Sequence, residues 1–81
     1  MNICHIKFHL NEALEQLQET LASAENKEID ETKLQIEIEH LYHHLNTAWN
    51  SRHASDEETR KCSKINFNKW QQFPTDLEFL E

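Results

Sequence analysis

The chain has no glycine in 81 residues and a single proline, Pro74. Tight turns, hairpin-rich sheets and barrels need backbone at positive φ, and glycine supplies it without a side-chain clash. Glycine-rich phosphate loops are excluded for the same reason. What remains is long regular helix with few turns, and at this length one small domain with a core that is hard to fill.

The apolar spacing agrees. Leu10, Ala13, Leu14, Leu17, Leu21 and Ala24 recur at intervals of three and four, one face of a helix. Asn11 offers an N-cap, Glu12 and Glu15 place negative charge in a first turn, and Asn26 is the best candidate for a left-handed C-terminal cap. Residues 3–10 fit two patterns. Ile3, Ile6 and Leu10 extend the helical stripe backwards, whereas Cys4, Ile6, Phe8 and Leu10 alternate with polar residues as a strand does. Helix is preferred because a lone strand lacks a partner. The first helix is therefore expected over about 3–25, with a loop over 26–30.

Asp30, or Thr32 with Gln35 as a capping box, starts a second helix. It carries Leu34, Ile38, Leu41, Tyr42, Leu45, Ala48 and Trp49 and is expected to reach about Ala54. So short a linker makes the pair an antiparallel hairpin, with Leu21 near Leu34, Leu17 near Ile38, Leu14 near Leu41 and Leu10 near Leu45. Ser55 before Asp56, Glu57 and Glu58 signals a third, short helix. Beyond it Ile65, Phe67, Trp70, Phe73, Leu77, Phe79 and Leu80 follow no single period, which suggests an irregular aromatic arm past Pro74 over the rest of segment 55–81. Apolar burial from two stripes falls short of the entropy of ordering them. The arm must pack back onto the hairpin, or two hairpins must pair as a homodimeric four-helix bundle.

Charge narrows the partners. The formal net charge is −7: residues 1–48 hold three lysines against nine acids, residues 49–70 hold five cations against three acids, and the last eleven add three acids. Phosphate backbones and anionic membrane surfaces repel such a chain, so neither nucleic acid nor membrane is an expected partner. No stretch has the roughly 20 apolar residues of a membrane span, and the first residues lack the apolar run of a signal peptide. Cys4 and Cys62 match no metal or redox spacing, so free thiols in a reducing cytoplasm are expected.

Of six histidines, His5/His9 and His40/His44 lie four apart, each pair on one helix face. Every one of these precedes a stripe residue, so His5, His9 and His44 are the candidates for a shared zinc-like ion, with Cys4 nearby. The plainer reading, which we adopt, makes them half-exposed flanking residues that titrate freely, with pKa values raised by neighbouring carboxylates and no metal or other cofactor bound. Glu37 and His40 have the spacing used by di-iron bundles, and Glu12/Glu15 and Glu28/Glu31 that of magnesium-binding acids, but these are spacings that a chain this rich in glutamate produces by chance. No base is placed to activate either thiol. Trp49, Arg52, Trp70 and Phe73, with Phe67, are the anchors expected either to bind a partner or to wall the core, with Arg52 stacked on Trp49. The reading that follows is a non-enzymatic helical interaction module; the alternative is a metal-binding or pH-responsive protein that uses the two histidine pairs.

Overall fold

A computed structural model describes residues 1–61 and 63–77 of the chain. It is all-helical: α1 (Ile3–Glu25), α2 (Glu31–Asn50), α3 (Asp56–Lys61) and α4 (Lys64–Trp70), with no strand among the described residues. The first two pack as an antiparallel hairpin, and α4 lies against α2.

Residues 3–10 are helix, and the cap of α1 lies nine residues before the expected Asn11. Asn2 is the cap instead, its side-chain oxygen accepting from the His5 N–H at 3.2 Å. Its other groups tie the chain start to the far end of α2. The Asn2 N–H donates to the Arg52 carbonyl at 2.7 Å, and its amide donates to the Ala54 carbonyl and to Asp56 Oδ1, each at 3.1 Å. An internal asparagine at position 11 cannot compete with a cap that makes tertiary bonds as well.

At the loop, the left-handed residue is Lys27 (φ 57°), one position later than the expected Asn26. The Lys27 N–H reaches the Ala24 carbonyl at 3.2 Å and the Glu28 N–H reaches Ser23 at 2.8 Å, the paired bonds of a Schellman ending. Asp30 then caps α2, accepting from the Lys33 N–H at 2.7 Å, so Thr32 is inside the helix and not its cap.

The second helix stops at Asn50, short of the expected Ala54. Ser51, almost fully buried, turns its hydroxyl back onto the Thr47 carbonyl, and Ala54 N–H closes a turn onto Ser51. Ser55 and Glu58 form the reciprocal capping box that opens α3, each accepting from the other's backbone N–H at 3.1 Å. Ser63 caps α4 through the Asn66 N–H. Past Pro74 no further helix forms up to Leu77; Cys62, Phe79 and Leu80 lie outside the described residues.

The hairpin has the expected register but not the expected face. His9 meets His44, Gln16 meets His40 and Glu37, and Ser23 meets Lys33, all within two residues of the offset that pairs Leu17 with Ile38. Yet Leu10, Leu14, Leu17, Leu21, Leu34 and Leu45 stay outside, from 41% exposed at Leu45 to 57% at Leu21. The seam is instead lined by the residue one step before each leucine. His9, Ala13, Gln16, Thr20 and Ser23 form the α1 side. Glu37, His40, His44, Thr47, Ala48 and Ser51 form the α2 side. Both helices are rotated about 100° from the leucine-facing arrangement. Small residues at Ala13, Ala48 and Ser51 suit a close approach of the two backbones.

The C-terminal segment covers one flank of this seam. Trp70 is buried, with its ring centroid 5.9 Å from that of His5, and Phe67 lies 4.9 Å from His43. Asn50 donates to the carbonyls of Trp70 at 2.8 Å and Gln72 at 2.6 Å, and Asn46 donates to Gln71 at 3.0 Å.

Two substitutions test this description. Lys27→Gly relieves the left-handed backbone and should raise stability by up to about 1 kcal/mol in urea unfolding, without changing the fold. Asn50→Ala leaves two carbonyls without their donor and should cost about 1–3 kcal/mol, read as early loss of tryptophan fluorescence signal from Trp70.

Candidate functional site

Five of the six histidines meet where α1, α2 and α4 join. Their ring centroids lie 4.6 Å apart for His5 and His9, 5.2 Å for His9 and His44, 4.6 Å for His40 and His44, and 4.8 Å for His43 and His44. The pairs legible in the sequence do share helix faces, but those faces turn inward. His9 and His44 are buried and His5 and His43 half-buried; His40 is the more exposed rung.

A chain of hydrogen bonds crosses the seam. His9 Nδ1 is 2.9 Å from His44 Nδ1, His44 Nε2 is 3.1 Å from His40 Nε2, and His40 Nδ1 is 2.6 Å from Gln16 Oε1. Gln16 Nε2 donates to Thr20 Oγ1 at 3.0 Å and to Glu37 Oε1 at 3.3 Å, and the Thr20 hydroxyl also reaches Glu37 at 3.1 Å. The carboxylate fixes the tautomer of every member. Glu37 Oε1 accepts from the Gln16 amide nitrogen, which leaves the Gln16 oxygen facing His40. His40 then carries its proton on Nδ1 and accepts on Nε2, His44 donates from Nε2 and accepts on Nδ1, and His9 donates from Nδ1. In this assignment all the N–H bonds of the chain point toward Glu37.

Burial sets the acid–base behaviour of the cluster. His9 is pushed down to about 4, by desolvation first and then by repulsion from His5, His44 and His43. His44 is likewise pushed down to about 4, by desolvation and then by His43 and His40. Desolvation also lowers His5 and His43. For His5, His9, His43 and His44 the expectation of exposed imidazoles with raised pKa is therefore corrected: their pKa values are lowered, because protein covers these rings and other imidazoles lie beside them.

As metal candidates, His5, His9 and His44 are brought together, but Cys4 is exposed outside the seam. Among the described residues, no group of three histidines, cysteines or carboxylates converges on one point. The His9–His44 contact is a hydrogen bond that uses both facing nitrogens. Glu37 and His40 are joined through Gln16, with no second carboxylate between them. Glu15, Glu28 and Glu31 are exposed and Glu12 is half-buried. The residues that complete the seam, Gln16 and Thr20, escaped the reading of the sequence. Their signal is a second three-four stripe, His9, Ala13, Gln16, Thr20 and Ser23, running one residue ahead of the leucines.

A second surface lies on the flank of the hairpin away from α4. Ile6, Leu10, Leu45, Ala48, Trp49 and Arg52 line an open groove of about 350 Å³. Leu14, Leu17 and Leu21 continue it along α1, and Leu34, Ile38 and Leu41 along α2, because equivalent flanks of antiparallel helices lie on one side. Of the four expected anchors, two are here. Arg52 stacks 3.8 Å over Trp49, and both hold Asp76: the Trp49 indole donates to it at 2.9 Å and Arg52 pairs with it at 3.3 Å. The indole bond, with Arg52 beside it, keeps the Asp76 carboxyl below its ordinary value. Trp70 is inside the fold, a wall of the histidine cluster, and Phe73 is exposed on the α4 side against Tyr42 at 5.1 Å. No described helix is long and apolar enough to cross a membrane.

The depressed imidazole pKa values fix the sign of the pH dependence. Below pH 6.5 the unfolded chain takes up protons that folded His9 and His44 refuse until about pH 4. Their stabilising contribution is complete above pH 6.5 and is lost as pH falls toward 4, by up to about 1.4 kcal/mol per pH unit for each ring. Melting at pH 5 should therefore occur below that at pH 7.5 in the presence of chelator, and His9→Gln should flatten the difference. Equal melting points would place these rings in water. Comparison with known proteins gives no match: no family, curated protein or solved structure shows significant similarity to the chain.

Proposed function

We propose that the chain is a non-enzymatic protein–protein interaction module whose docking surface is the leucine face shared by α1 and α2. The observation that carries this reading is the row of half-exposed leucines on both helices, continuous with the apolar groove at the Trp49 end. Monomeric proteins rarely leave a contiguous apolar patch of more than a few hundred Å² in water. A face of this kind accepts apolar side chains from another helical surface, and Trp49 with Arg52 has the composition of an anchor at its end. The exposed Cys4 thiol fits a reducing cytoplasm as the working environment.

A photo-crosslinking residue placed at Leu14, and separately at Gln18 on the outer side of α1, tests the face in cells of the native host. Adducts from position 14 and none from position 18 are expected. Equal yields from both positions, or none from either, would refute the leucine face as a docking surface.

A second reading, a pH-responsive protein, is favoured by the buried imidazole chain. Protonating any of its three rings removes an acceptor nitrogen and puts charge into the seam, so acid acts on the contact that joins α1 to α2. Histidine ring signals followed by nuclear magnetic resonance should give His9 and His44 midpoints below pH 5; midpoints near 6.5 would rule this reading out.

A further inference from the structure

We infer that the occupant of the leucine face is a second copy of this chain, laid antiparallel on the first to form a four-helix bundle. The inference rests on the docking-face reading above and names its partner. It begins from the composition of the interior. The buried apolar residues among those described are Ala13, Ala48 and Trp70, while most of the longer apolar side chains of the hairpin lie on its outside. A face that carries most of the aliphatic surface needs cover whenever the chain is folded, and only another copy is present in matching amount at all times.

The dimensions fit. A 23-residue helix is about 34 Å long, and two packed helices are about 20 Å across, so the face offers roughly 650 Å² per copy and about 1,300 Å² in a pair. That is within the range of a specific, stable interface.

Charge chooses the orientation. The loop half of the hairpin, residues 15–39, has eight carboxylates against Lys27 and Lys33, a net of −6. The open half, residues 1–14 with 40–77, has six lysines and arginines against five carboxylates, a net of +1 before the amino terminus is counted. Parallel pairing would set −6 against −6. Antiparallel pairing sets each acidic loop end over the partner copy's open end, where Arg52 rims the groove.

The stripe positions are also self-complementary about one axis. A two-fold perpendicular to the helices and passing near Leu14 and Leu41, which already share a level in the hairpin register, brings Leu14 to its own copy. It sets Leu10 against the second copy's Leu17 and Leu21 against its Ile6. On α2 it brings Leu41 to its own copy, Ile38 to Leu45 and Leu34 to the Trp49 end. Each leucine of the face then meets an apolar side chain, an isologous pairing.

Sedimentation of the full chain at micromolar concentration should give twice the 9.7 kDa chain mass. A folded 9.7 kDa species persisting at about 100 μM would overturn the second-copy occupant, as would a larger assembly. Leu14→Glu opposes two carboxylates at the axis and should weaken dimerisation by at least about 30-fold. Leu14 is half-exposed in the single hairpin, so helicity should survive where the chain is concentrated enough to associate. Orientation is tested without disturbing the face. In a chain carrying Cys4→Ser, Cys62→Ser and Lys27→Cys, spin labels on the two loops should lie about 30 Å or more apart. A disulfide between the two loop cysteines, or label distances below about 20 Å, would overturn the antiparallel arrangement. Should the chain prove a folded monomer while position 14 crosslinks to a heavier protein, the docking face stands and only its occupant is wrong.

Discussion

The joint between the two long helices is polar, and the rest of the molecule is arranged around that fact. Glu37 orients Gln16, Gln16 orients His40, and the chain passes through His44 to His9. The chain from His9 to Glu37 is paired from end to end, while the Thr47 hydroxyl and the second Glu37 oxygen are buried in the seam without a partner; a connected buried network favours a single arrangement. Such a network is directional where leucine packing is not. A slip or rotation of either helix breaks several bonds at once, and the hairpin register is therefore set by chemistry at particular atoms.

The open end of the hairpin needs a different solution, because two helices held by one seam are free to splay there. Three asparagines supply it. Asn2 binds the start of α1 to the turn after α2, while Asn46 and Asn50 hold the carbonyls that follow α4. Amide side chains both donate and accept, so each satisfies loose backbone groups that a helix end cannot pair internally. Trp70 then closes the histidine cluster on that flank beside His5, in a cluster where burial lowers the imidazole pKa values.

Placing polar residues in the seam displaces the leucines to the opposite flank from α4, and this links packing to the proposed role. The two functional readings share a structural basis. The imidazole chain holds α1 and α2 at the rotation that turns their leucines outward, so anything that disturbs the seam also disturbs the face. In the proposed reading the docking surface depends on the angle between the two helices, and the buried His9–His44 contact lies between them.

Much of the fold was legible in the sequence. The absence of glycine, the three-four spacing of Leu10 to Leu21 and of Leu34 to Leu45, and the loop over 26–30 determined two antiparallel helices and their register, because helical period and linker length are local properties of the chain. The Ser55 box that opens α3 is local too. The rotation of the helices was not. Two stripes one residue apart, His9 to Ser23 and Leu10 to Leu21, share the same period, so periodicity cannot say which faces the partner helix. The apolar stripe was the natural choice; its alanines, Ala13 and Ala48, are in the seam, but Leu10 to Leu21, Leu34 and Leu45 turn outward. Tertiary structure decided the matter through bonds between residues far apart in sequence, His9 with His44 and Gln16 with Glu37, and through α4, whose docking shields the histidine flank and leaves the leucine flank open. The residue types at each position came from the sequence; which of them would be desolvated depended on a third element packing against one side of the other two.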